Sequence, residues 1–148
     1  MPGDDQGVDH HGGSVLLNQS FDLGTLSATR RAVLGTFPVD ELAQGRARAF
    51  LAAINEGMIN AIQHGGGGGN VTVCRTHGRL IAVVQDIRRT IPFVLPQDLP
   101  AVTAEGGRGL WIIVRSCDTA RVESGRTGLR LVMEVDLRDK SGASTSVA

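Results

Sequence analysis

No segment of the 148-residue chain approaches the ~18–20 consecutive apolar residues that a membrane-spanning helix needs. The first residues, Met1-Pro2-Gly3-Asp4-Asp5, are acidic where a secretion signal is basic. Neither a membrane span nor export is expected, so the chain reads as a cytoplasmic protein. Cysteine is scarce. Cys74 and Cys117 are too few to staple a small secreted fold, and each lies in apolar sequence that suits a buried free thiol. Cys74 and His77 have a spacing found in metal sites, but no second ligand pair completes one. Net charge is missing as well: Lys+Arg 15 balances Asp+Glu 15, at a pI near 6.9. With neither a global positive field nor a local basic patch, the chain lacks the counterion-release energy on which nucleic-acid binding depends. Lysine occurs once, at Lys140, against fourteen arginines.

What remains is the composition of a globular domain. Apolar residues make up 41% and charged residues 20%, with a mean hydropathy of +0.01. A chain of this length buries roughly 68–70% of its unfolded surface, enough for one core. Glycine is abundant, 20 residues, about twice the usual ~7%. Residues 1–13 are rich in Gly, Asp and His and aperiodic, and residues 138–148 are small and polar, so both are expected to fray as flexible ends. The folded domain is placed at residues 14–137.

The stretch from Val15 to Phe21 suits a first strand, and Thr25 or Ser27 is positioned to cap a helix reaching Leu34. Pro38 breaks that helix. Asp40 is the expected cap of a long second helix through Phe50, Ile54, Met58 and Ile62, with Gly45 weakening its first turns. Asn70–Thr76 and Arg79–Gln85 read as a hairpin turned at His77-Gly78, because two residues are too few for a parallel crossover. From Ile87 to Glu105 the prolines Pro92, Pro96 and Pro100 predict a long loop of the kind that serves as a lid or binding segment. A third helix from Leu110 to about Cys117 and strands near 119–123 and 127–137 complete the order. The fold class is α/β: a two-layer α/β sandwich, a mixed sheet with helices on one face.

Three features carry possible chemistry. Glu56, Asn60 and His64 are spaced by four on the long helix and share one face, about 200° from the apolar row of Ile54, Met58 and Ile62. Such a stripe either faces water or aligns an acid, an amide and an imidazole that can hold a hydrated metal and position a base. The two glycine-rich segments differ in electrostatic placement. Gly65–Gly69 follows a helix C-terminus and reads as a stop and connector. Gly106-Gly107-Arg108-Gly109 precedes a helix N-terminus, where free N–H groups suit either a tight turn or a bound phosphate. Asp86 ends an apolar strand, either turning the chain or accepting a hydrogen bond from an exocyclic amine such as that of adenine. Trp111 reads as core packing.

In this order, Glu56-x-x-x-Asn60-Ala61-x-x-His64, Asp86, the loop, Gly106-Gly107-Arg108-Gly109-Leu110-Trp111 and Gly125-Arg126-Thr127 resemble the GHKL (Bergerat-fold) ATPase superfamily. They are most similar to its bacterial anti-sigma-factor serine/threonine kinases, over about Phe21 to Leu137. The resemblance implies ATP and Mg²⁺ as cofactors: Asn60 as the metal residue, Glu56 as general base toward a Ser/Thr hydroxyl, and Asp86 reading the adenine amine with support from Thr127. It also implies that Gly107, Arg108, Gly109 and Leu110 close over the phosphates and that His64 lies near them. The implied activity is phosphorylation of an anti-anti-sigma antagonist by an anti-sigma regulator that also binds a sigma factor, as a homodimer. One departure stands out: the family's Asp-x-Gly-x-Gly is here Asp86-Ile87-Arg88-Arg89-Thr90, lacking both glycines, as in actinobacterial relatives. The competing expectation is therefore a nucleotide-insensitive pseudokinase acting by partner sequestration. A detached histidine-kinase ATPase domain is a third expectation, disfavoured because no dimerisation helix with a phosphoacceptor histidine precedes the domain.

Overall fold

The structure is a computed structural model that describes residues 13–88, 95, 107–124 and 128–138. Of the flexible ends expected at residues 1–13 and 138–148, all but residues 13 and 138 lie outside the described residues, as does nearly all of the expected 87–105 loop. The elements run β1 (Ser14–Asp22), a 3₁₀ turn (Leu23–Thr25), α1 (Leu26–Leu34), α2 (Val39–Leu42), α3 (Gly45–His64), β2 (Gly68–Thr76), β3 (Arg79–Asp86), α4 (Gly107–Ser116), β4 (Thr119–Ser124) and β5 (Leu129–Asp136).

The described strands form one sheet in the order β1-β2-β3-β5-β4. Helices pack on one face, as the two-layer sandwich requires. All pairings are antiparallel, where a mixed sheet was expected. The reason is topological. The β3-α4-β4 crossover leaves β3 and β4 parallel, but β5 folds back and inserts between them, so no parallel contact forms.

Alternation along the strands sends Val71, Val73, Leu80, Ala82, Val84, Leu131, Met133 and Val135 toward the helices. There they meet Val33, Phe50, Ile54, Met58 and Ile113, each at 0% exposure. Burying a side chain of this size contributes about 1.5–3 kcal/mol. The opposite face carries a smaller buried cluster of Cys74, Ile81, Val83 and Val132, which explains why β3 reads as a nearly unbroken apolar run. Burial raises the thiol pKa of Cys74, and burial together with the Asp118 charge pushes that of Cys117 up to about 12. Both thiols stay protonated at neutral pH. Cys74 is buried as expected, whereas Cys117 is only half-buried.

The hairpin turns where expected, with positive φ at His77 (48°) and Gly78 (82°), the backbone of a two-residue primed turn. One helix start matches expectation in position and the other differs. Thr25 stands at the N-cap of α1 but makes no side-chain cap bond there; the side-chain cap is that of Asp22 on the preceding 3₁₀ turn, whose carboxylate accepts from Thr25 N while Thr25 Oγ1 accepts from Asp22 N. Asp40 does not cap the long helix. Pro38 opens the one-turn α2, the backbone becomes extended at Gln44, and α3 starts at Gly45. Tertiary contacts override local propensity here: Leu42 packs on the core, and Arg75 on β2 donates to both Glu41 carboxylate oxygens at 2.9 and 2.7 Å.

That bidentate pair is about a quarter exposed, 27% and 19% for the two side chains, between a surface pair and a buried one. Arg75→Ala is expected to cost about 1–2 kcal/mol and a few degrees of Tm in thermal denaturation followed by circular dichroism. Adding Glu41→Ala should cost little more, because the pair is already broken. A full additive loss in the double variant would show that the two residues act separately.

Candidate active site at the α3–α4 cleft

The 20-residue helix α3 lies across the sheet with Ala53, Ile54, Gly57, Met58 and Ala61 buried beneath it. Gly57 permits a close approach: a Cβ there would stand 3.1 Å from Leu131 Cδ2 and 3.4 Å from Val84 Cγ2. A glycine inside a helical pattern is the sequence signal for such an approach. With the apolar face committed to the sheet, the Glu56, Asn60 and His64 row turns toward α4 and is partly buried.

Glu56, Asn60 and His64 line one cavity of about 200 Å³ with Ile59, Gln63, Gly109 and Leu110. The first turn of α4 forms its far wall. Helix α4 begins at Gly107 rather than at Leu110, so Gly107, Arg108 and Gly109 are the helix's opening turn and not a loop ahead of it. First-turn N–H groups have no acceptor within their own helix and sit at the positive end of the dipole. A cavity with a carboxylate and an amide on one wall and such a turn on the other suits an anion that carries its own cation. Among the described residues no three of His, Cys, Asp and Glu gather as a metal cage.

Glu56 is closely placed. A Cβ at Gly109 would stand 2.5 Å from Glu56 Oε2, so the carboxylate rests against α4 only because residue 109 has no side chain.

A second cavity, about 10 Å³, continues from Asn60 and Ala61 to Gly57, Val84, Asp86, Leu129 and Leu131. It has room for about one water. Asp86 is 4% exposed, and its Oδ1 accepts from Leu129 N at 2.7 Å. The chain beyond it is tied to the end of α3: Ile87 N and Arg88 N both donate to Gly65 O, at 2.9 and 3.0 Å. Thus Arg88, the first of the two positions that lack the usual glycine, lies against the α3–β2 connection, and the second, Thr90, lies outside the described residues. Gly68 and Gly69 in turn are strand residues of β2, opposite Asp22 and Asp86, and not connector.

Glu56, Asn60, His64, Gly109 and Leu110 thus meet at one cavity, and Asp86 faces the adjoining one through Asn60. Gly107 and Arg108 supply backbone to the first turn of α4. Thr127 lies outside the described residues. Trp111 differs from expectation: it is half-buried, with the Arg115 guanidinium 5.3 Å from its ring centre, and Ile113 is the fully buried residue of α4. Sequence reasoning missed Gly57, Gln63, Gly65, Leu129 N–H and Gly128.

No curated protein matches the chain. The family model for the histidine kinase-like ATPase domain matches residues 20–135, a span that holds both cavities and every described strand and helix except the first residues of β1 and the last of β5. The chain therefore belongs to the histidine kinase-like ATPase domain family, of the GHKL type, whose members bind ATP.

Proposed function

We propose that this chain is an anti-sigma regulator that binds MgATP in the α3–α4 cleft and phosphorylates a Ser/Thr of an anti-anti-sigma partner. The observation that carries the reading is the convergence of Glu56 and Asn60 with the opening turn of α4 on one cavity. Bound Mg²⁺ would supply charge neutralisation for the phosphates, and Asn60 is the residue to hold it. Glu56 takes the proton of the substrate hydroxyl as its oxygen bonds to the γ-phosphorus. The bond from that phosphorus to the bridging oxygen breaks, and ADP leaves. The first-turn amides of α4 are positioned for the growing charge, which is where most of the rate enhancement in phosphoryl transfer arises. Asp86 accepts from the adenine amine. A sigma factor is the second partner, a homodimer is the proposed assembly, and the cytoplasm is the proposed location. Within the described residues no helix is long and apolar enough to cross a membrane.

A second reading, a pseudokinase that works by sequestration alone, is favoured by one observation: the cavity beside Asp86 has room for about one water, not an adenine ring. Calorimetric titration of MgATP into the protein, with Asn60→Ala as control, separates the two. Saturable binding that disappears in Asn60→Ala supports the kinase reading, and no heat at millimolar nucleotide supports sequestration.

A further inference from the structure

Two glycines outside the glycine box enclose the Asp86 carboxylate. Gly65 is the first residue after α3, and Gly128 immediately precedes β5. A Cβ at Gly65 would fall against Asp86 Cβ and stand 2.7 Å from Oδ2 and 2.8 Å from Cγ. A Cβ at Gly128 would fall on Oδ1 and stand 2.6 Å from the Asp86 carbonyl oxygen. The backbone of Gly65, φ −113° and ψ 28°, is open to any residue, so glycine is required there by space and not by conformation. The Leu129 N–H fixes Oδ1 at 2.7 Å, and Gly65 O holds the two amides that follow Asp86. The carboxylate is therefore held by the Leu129 N–H, among its contacts, and confined by two walls that admit no side chain.

We propose that Gly65 and Gly128 are positioning residues for base selectivity: by bearing no side chain they hold the Asp86 carboxylate where it accepts the 6-amino group of a 6-aminopurine nucleotide. The proposal rests on the reading of Asp86 as the adenine acceptor. Hydrogen bonds weaken steeply with distance and angle, so displacing the carboxylate by the width of a methyl group removes the contact with the amine while leaving the phosphate contacts on α3 and α4 in place.

The test compares ATP with purine riboside triphosphate, which is ATP without its 6-amino group, by calorimetry with Mg²⁺. The unmodified protein is expected to prefer ATP by about 10–150-fold, the range for a hydrogen bond to a charged group. Gly65→Ala, whose methyl presses first on the Asp86 side chain, is expected to bring the two affinities together by weakening ATP and leaving the analogue unchanged. Gly128→Ala presses on the same carboxylate from the other side and should do the same. Gly45→Ala, at the start of α3, where a methyl meets nothing within 4 Å, should keep the preference. Equal affinities in the unmodified protein would sink the reading of Asp86 itself. A preference that survives in Gly65→Ala or Gly128→Ala would overturn the positioning role alone. If neither variant shows a thermal unfolding transition, the glycines serve packing in general, and the selectivity assignment also fails.

Discussion

Glu56→Gln is expected to slow phosphoryl transfer by about 10²–10⁴-fold, the usual contribution of a positioned general base, while MgATP binding stays intact. The substitution is nearly isosteric, so the fit of residue 56 against Gly109 is preserved and only the ability to take a proton is lost. Binding should not suffer, because a negative group beside anionic phosphates is removed and no phosphate contact is lost. The measurement is labelled-phosphate transfer to the proposed antagonist protein, with ATP hydrolysis as a second readout in which water replaces the hydroxyl. Equal transfer by Glu56→Gln would take Glu56 out of the mechanism. Weaker binding of MgATP with unchanged turnover would reassign it to nucleotide contact.

The features that were legible in the sequence are those fixed by local period. Glu56, Asn60 and His64 could be placed on one helix face because spacing by four leaves residues in a row whatever the surroundings. The β2–β3 hairpin was legible because two residues between strands leave one solution, and positive φ at both His77 and Gly78 is the backbone that solution needs. What escaped the sequence depends on neighbours distant in the chain. Asp40 has the right chemistry to cap a helix, yet the Glu41–Arg75 pair and the burial of Leu42 hold α2 apart from α3. The Gly65–Gly69 run reads as a stop and connector because it follows a helix C-terminus. In the structure it lines three close approaches: Gly65 to Asp86, Gly68 to β1 and Gly69 to β3. No local pattern signals that β5 will insert between β3 and β4, so the sheet appeared mixed. Trp111 and Ile113 are two positions apart on a ten-residue helix, and α3 decides which faces the core.

Gly109→Ala is expected to leave MgATP binding in place and reduce phosphoryl transfer by about 10²-fold, the cost of a misplacement near 1 Å in a reacting constellation. Alanine keeps the backbone N–H that a phosphate would use, so the anion-binding turn of α4 survives. Its methyl, however, would stand 2.5 Å from Glu56 Oε2 and 3.4 Å from Cδ, and one of the two groups must move. Residue 109 lies within α4, whose backbone would shift only with the helix, whereas Glu56 is a flexible side chain, so the carboxylate is displaced. Stability separates this from damage to the fold. Alanine is the better helix former by roughly 0.5–1 kcal/mol, so Tm should hold or rise while transfer falls. Unimpaired transfer by Gly109→Ala would mean that Glu56 works from a different rotamer than the one packed against α4. Loss of MgATP binding together with transfer would mean that the opening turn of α4 needs glycine for its own backbone rather than for the space it gives to Glu56.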